Sequence, residues 1–320
     1  MDSLFNKLFL TVFLLSTPGF AKTWDVPVLY WSMKIEGQVA MRRGFEEEIQ
    51  RFNKKGPDKI NLLPQVAGEG RKGIITQIAQ MAESLKKRPD AVVIQPTDNS
   101  ALAQGLATAQ KLKIPVFAYD QYIVDGELAS LVASDNYQAG VYNGDYIDRL
   151  FAKDKELKVV VFEYPKVSST IDRVDGFFDS LRERGRHFKV LRRYQAIDPQ
   201  SGEAAAQMFL RDFPEKDSVD LILTVNDGGG LSIVKALWDK KRSEIRHATF
   251  DGDPLSIENI KNKRITVIDS AQYCAEVGRQ SARALIAYFT KRKFPMRQLI
   301  STYPVTEQNW KEYPGWLGRP

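Results

Sequence analysis

Cysteine is almost absent from this 320-residue chain, Cys274 being the single one. One thiol cannot close an intrachain disulfide, and it excludes a multi-thiolate zinc or iron–sulfur site. Histidine is nearly as scarce. His187 and His247 lie far apart, fit no metal-ligand spacing and are expected at the surface or at a strand start. Cys274 has no nearby histidine to activate it and reads as a buried, inert thiol. No catalytic residue, metal or cofactor is therefore expected. A strong charge of one sign is also missing, since 46 basic against 40 acidic residues leave +6. The clusters Lys240-Lys-Arg242 and Lys291-Arg-Lys293 are too short and too separate to make a nucleic-acid groove.

What remains is an ordinary globular composition, 43% apolar and 27% charged. Its length exceeds the usual span of one hydrophobic core and predicts two domains. The start differs from the rest. Lys7 precedes an apolar run from Leu8 to Leu15, then Ser16, Thr17, Pro18, and the small residues Gly19 and Ala21. That run is too short to span a bilayer and fits an export signal, residues 1–21, cleaved after Ala21. Removing 21 residues from 320 leaves 299, and no later segment is long and apolar enough to cross a membrane. A periplasmic location is expected.

Short, continuously apolar runs alternate with helical patterns along both halves. In the first half, strands are predicted at Val26–Trp31, Ile60–Leu63, Ala91–Ile94 and Ile114–Tyr119. Helices fall at Met41–Phe52, Ile74–Leu85 and about Asn99–Lys111. In the second half, strands fall at Lys158–Phe162, Lys189–Arg192, Leu221–Thr224, Ala248–Phe250 and Ile265–Ile268. Helices there cover Ile171–Arg184, Gly202–Arg211, Gly229–Asp239, Leu255–Asn262 and Val277–Tyr288. Unbroken apolar strands are buried on both faces, which means parallel sheets built from βαβ units. The fold class is α/β: two similar open parallel-sheet lobes with a ligand cleft between them, joined by three hinge crossovers. The expected division is 22–134 plus 273–300 for one lobe, and 135–272 plus 301–320 for the other.

In such sheets ligands bind beyond the carboxyl ends of the strands. Ser32, Asp120, Asn226, Asp251 and the crossing residue Gln272 fall there. A carboxylate accepts hydrogen bonds from two neighbouring hydroxyls, and an amide both donates and accepts, so these types suit a polyol. Asp98 and Asp227 read instead as caps of the helices that follow them. Trp31, Tyr119 and Tyr122 could cover the apolar face of a ring, with core packing an equal reading for Trp31 and Tyr119. If Trp31 faces the cleft, Tyr30 points into a helix layer. Lys34, Glu36 and Gln38 are within reach of the same cleft. Gly68-Glu-Gly-Arg-Lys-Gly73 lacks the order of a phosphate loop.

Taken in order, Val92-Val-Ile-Gln-Pro-Thr-Asp98, Ile114-Pro-Val-Phe-Ala-Tyr-Asp120, Ala133-Ser-Asp-Asn136, Asn226-Asp227 and Phe250-Asp251-Gly252 resemble the periplasmic sugar-binding proteins of the ribose-binding type. The resemblance implies capture of a small sugar or polyol-like ligand by lobe closure, with delivery to an inner-membrane ABC permease. The alternative it leaves is a protein that reports the ligand to a membrane sensor kinase or chemoreceptor. It implies a monomer, and ligand contacts at Ser32, Asp120, Asn226, Asp251 and Gln272. Departures accompany it. Ribose binders carry arginines where this chain has Gln121 and Ile171, the latter followed by Asp172-Arg173. They carry aromatic walls where it has Gln38-Val39 and about Ile197. A cavity with neither arginine and fewer walls is expected to take a ligand other than ribose.

Overall fold

The computed structural model describes residues 21–319. The export-signal expectation concerns residues 1–21 and so lies, except for Ala21, outside the described residues. The first lobe begins with β1 (Thr23–Tyr30), α1 (Glu36–Lys55), β2 (Lys59–Val66), α2 (Gly70–Lys86), β3 (Val92–Ile94), α3 (Ala103–Lys111), β4 (Val116–Tyr119) and β5 (Ser130–Ser134). The second continues with α4 (Asn136–Leu150), β6 (Leu157–Glu163), α5 (Ser168–Glu183), β7 (Phe188–Gln195), α6 (Pro199–Asp212), β8 (Leu221–Thr224), α7 (Asp227–Asp239), β9 (Arg246–Asp251), α8 (Pro254–Lys261) and β10 (Thr266–Ala271). Then come α9 (Cys274–Phe289), β11 (Arg297–Ile300) and β12 (Tyr303–Thr306).

The strands make two sheets in matching order, β2-β1-β3-β4-β5-β11 and β7-β6-β8-β9-β10-β12. Every pairing is parallel except that of β12 with β10. The chain passes between the sheets three times, at Ser134–Asn136, Ala271–Cys274 and Ile300–Tyr303. Central strands are apolar on both faces, as parallel sheets covered by helices require. Val28 and Tyr30 of β1 enter one core and Leu29 the opposite one; Val159 and Val161 of β6 oppose Val160 and Phe162 in the same way. Tyr30 does point into a helix layer, donating to Glu46 of α1 at 3.0 Å beneath the Arg42 guanidinium.

Several element ends have local chemical causes. Asp198 and Ser201 form a reciprocal capping box with Pro199 as the first residue of α6, and Asp253, accepting from Leu255 N–H ahead of Pro254, caps α8. The helix expected from Asn99 begins later, at Ala103, because Asp98 Oδ1 accepts from both Ser100 N–H and Ala101 N–H and holds a turn there. Helix α4 and strands β11 and β12 had no assignment in the sequence. Asp135 caps α4 by accepting from Gln138 N–H.

Glycines let helices approach closely in both lobes, α1 with α9 in the first, and α4 with α5 as well as α6 with α7 in the second. A Cβ on Gly278 would sit 1.9 Å from Met41 O, and one on Gly44 would sit 2.0 Å from Ala275 O. Gly140 and Gly176 do the same between α4 and α5, with Arg173 O and Tyr137 O at 2.3 and 2.1 Å. A side chain at these positions must push the helices apart. Gly278→Val is therefore expected to lower unfolding free energy by about 3 kcal/mol. Urea denaturation checks this, and a loss below about 0.5 kcal/mol would count against the close approach as a constraint.

Candidate ligand-binding site

The cavity between the lobes has an empty volume of about 360 Å³. Its walls come from the β1–α1 connection, the end of β4, the start of α5, and the ends of β8, β9 and β10. Trp31, Gln38, Asp120, Gln121, Asn226, Asp251 and Gln272 line it, together with Ile35, Gly37, Met41, Val167, Ser169, Thr170, Arg173 and Ile197. The lobes are shut against each other. Ser168 N–H donates to Asn99 Oδ1 at 3.0 Å and Asn99 N–H to Lys166 O at 2.8 Å. Gln121 Nε2 reaches Ser169 Oγ at 3.3 Å, and Trp31 packs on Tyr164 with centroids 6.0 Å apart.

Asp120 and Asp251 occupy corresponding places, each at the end of the fourth strand of its lobe. Both have left-handed backbone, with φ of 68° and 111°. Such a conformation is costly for a non-glycine residue and marks a side chain aimed for a purpose. Their partners differ. Asp120 Oδ2 accepts from Gln95 Nε2 at 2.9 Å, and among the described residues no cation pairs with this carboxylate. Asp251 Oδ1 accepts from Gln272 Nε2 at 2.5 Å and from Arg173 Nη2 at 2.9 Å. Burial raises the pKa of both carboxyls, and the nearby Arg173 guanidinium opposes that rise.

Arg173 is 3% exposed, and each of its three guanidinium nitrogens has an acceptor. Nε donates to Asn136 Oδ1 at 2.9 Å and Nη1 to Val225 O at 2.6 Å. Asn136 in turn donates to Ser134 O, and Ser134 Oγ donates to Gln272 Oε1 at 2.5 Å. These bonds close a ring from the first crossing, through Arg173 and Asp251, to the second crossing and back.

The expected loss of both arginines needs correction. Ile171 is absent from the cavity wall, but Arg173 is in it, with Thr170 one helical turn before on the same face. Ile197 does line the wall. Three expected contacts lie elsewhere. Tyr119 is fully buried in the first-lobe core, stacked on Phe45 at 6.5 Å, because alternation turns it away from the strand-end cleft. Ser32 spends its hydroxyl on Glu69 at 2.5 Å and on Lys34 N–H. Glu36 starts α1 on its exposed side.

Asn226 lines the cavity and is also the cap of α7, accepting from Gly229 N–H and donating to Ile197 O. Asp227, expected as that cap, instead accepts from Thr249 Oγ1 and Asp253 N–H. His247 lies at the start of β9, as expected, but is buried between Thr224 and Thr266 rather than exposed, and burial pushes its pKa down to about 3. Cys274 is buried and free. Gln95 was missed, since its position before Pro96 carries no signal beyond an ordinary strand end.

The sequence pattern of the periplasmic binding protein domain matches residues 27–293. The chain belongs to the periplasmic binding protein family. Its curated relatives include the ribose import binding protein of Bacillus subtilis strain 168, 24% identical over 237 residues, covering 73% of this chain and 72% of that one. The xylitol-binding protein of Mycolicibacterium smegmatis is 25% identical over 216 residues, covering 65% and 60%. Among solved structures, an ABC transporter solute-binding protein of Agrobacterium vitis with bound allitol matches with a TM-score of 0.80 at 20% identity, covering 91% of this chain and 98% of that one. The Caulobacter myo-inositol-binding protein matches with a TM-score of 0.78 at 22% identity, covering 91% and 96%. Those likenesses show the fold of this periplasmic binding protein.

Behind its cavity lies a second layer of acid. Asp269 Oδ1 accepts from Gly252 N–H at 3.0 Å beside Asp227, and both hold the turn that presents Asp251. Burial raises the carboxyl pKa of both Asp227 and Asp269, which share this buried site, and the Asp251 charge adds to the rise. The folded chain thus keeps a proton that the unfolded chain releases near its ordinary value of 3.8. Stability is expected to fall as pH rises from that value through the raised ones. Thermal unfolding across the window checks it: Asp269→Asn flattens the decline, and an unchanged slope refutes the assignment.

Proposed function

We propose that this periplasmic binding protein captures a small sugar or polyol between its lobes and performs no chemistry on it. The observation that carries the reading is the facing pair of strand-end carboxylates, Asp120 from one lobe and Asp251 from the other, both at positive φ in one buried cavity. Asp251 arrives already oriented by Arg173 and Gln272, whereas Asp120 has an oxygen left for ligand hydroxyls. Gln38, Gln121, Asn226 and Gln272 add groups that both donate and accept, and Trp31 and Ile197 supply apolar wall. The ligand touches both lobes only when they are shut, so it shifts the population toward closure.

The names of the relatives, which cite ribose and xylitol, support a polyhydroxylated ligand. Gln121 where ribose binders carry arginine supports a ligand other than ribose. The ribose import binding proteins among those relatives support delivery to an inner-membrane ABC importer. The amino-terminal apolar run after Lys7 supports export to the periplasm, with cleavage after Ala21.

Mass spectrometry of the small molecule released on denaturing the exported protein tests the reading, followed by calorimetry with D-ribose, xylitol and myo-inositol. Asp120→Asn keeps the shape of the side chain and is expected to weaken the best binder at least about tenfold, or ~1.4 kcal/mol. An unaltered affinity removes Asp120 from the site.

A further inference from the structure

Residues 307–319 follow β12 and lie outside the stretch matched by the family pattern. They are tied down at both lobes. Tyr313 Oη donates to Gln272 O at 2.5 Å, and Trp316 Nε1 donates to Asp251 O at 2.6 Å. On the other side, Ala275 N–H of α9 donates to Trp316 O at 3.0 Å, and Arg279 Nη2 donates to Gly318 O at 2.8 Å. The segment therefore grips the backbone of two cavity residues from the second lobe and its crossing, while a first-lobe helix grips the segment.

Its two rings also fill the space behind the cavity. Tyr313 packs between Tyr273 and Tyr303, with centroids 5.8 and 6.2 Å away, and a Cβ on Gly252 would meet its hydroxyl at 2.9 Å. Trp316 lies behind Gly37, whose missing Cβ would be 3.9 Å from Cζ2. The Asp251–Gly252 turn has φ of 111° and 79°. Strain of this kind persists only where surrounding contacts over-determine the backbone. Tyr313 and Trp316 provide contacts that β9 and β10 do not.

We propose that residues 313–319 form a fourth, non-covalent link between the lobes, in which Tyr313 and Trp316 act as positioning residues for Asp251 and Gln272 and restrain lobe opening. The claim that the positioned groups meet a ligand rests on the function proposed above. The restraint itself does not, so it is tested on ligand-free protein.

The experiment compares the full chain with Trp316→Ala and with the double variant Tyr313→Phe/Trp316→Phe, which keeps an aromatic ring at each position and removes both donors. Small-angle scattering without ligand is expected to show the radius of gyration rising by about 1 Å in the variants as the lobes part. Hydrogen exchange at amides 251–253 and 272–276 is expected to quicken at least about tenfold, with α6 and β3 unchanged. The melting temperature of the double variant stays near that of the parent, which separates positioning from general support. An unchanged radius and unchanged exchange at those amides in the double variant overturn the proposal, and so does a loss of protection spread through both lobes. If Trp316→Ala does not fold, the double variant decides alone. Failure of every sugar in calorimetry would overturn the ligand reading and leave these readouts intact.

Discussion

The Arg173–Asp251 pair is the contact on which the cleft depends. Taking a guanidinium and a carboxylate out of water is expensive, and the pair is tolerable only if every donor finds an acceptor. Each of the three Arg173 nitrogens finds one, on Asp251, Asn136 or Val225. Because Asn136 belongs to the first crossing and Gln272 to the second, satisfying one buried charge also sets the places where the chain changes lobe. The same bonds that stabilise the second lobe thereby aim its cavity-lining groups.

The lobes match in topology but differ in preparation. Asp251 has a cation, an amide and a layer of buried acids behind it, whereas Asp120 is held by Gln95 without a paired cation among the described residues. A carboxylate buried with one donor gains most from new hydroxyl partners, since unmet hydrogen-bonding capacity in a low-dielectric site is costly. One lobe is thus organised in advance and the other left wanting. That asymmetry suits closure driven by what enters between them, and contacts such as Ser168 with Asn99 are made only with the lobes together.

Local chemistry explains why many elements were legible before any coordinates. Val92–Ile94 and Leu221–Leu223 are short, wholly apolar and flanked by helical patterns, so their burial follows from composition. Helix α4 escaped because its Asn136–Leu150 sequence is polar and interrupted by Gly140 and Gly144, which make sense only against α5. Strands β11 and β12 escaped because four residues joined to a partner distant in sequence carry little signal of their own.

The amino-acid sequence by itself determined the two parallel sheets and the placing of Asp120, Asp251 and Gln272 at strand ends, because periodicity and strand polarity are local properties. Only the tertiary structure decided which neighbours those residues keep. It put Arg173 rather than Ile171 in the cavity, turned Tyr119 into the core and committed Ser32 to Glu69. It also folded the 313–319 segment back under the site. Each of these choices depends on which face of an element meets a partner far away in sequence, and a buried charge or donor settles that choice by the bonds it needs.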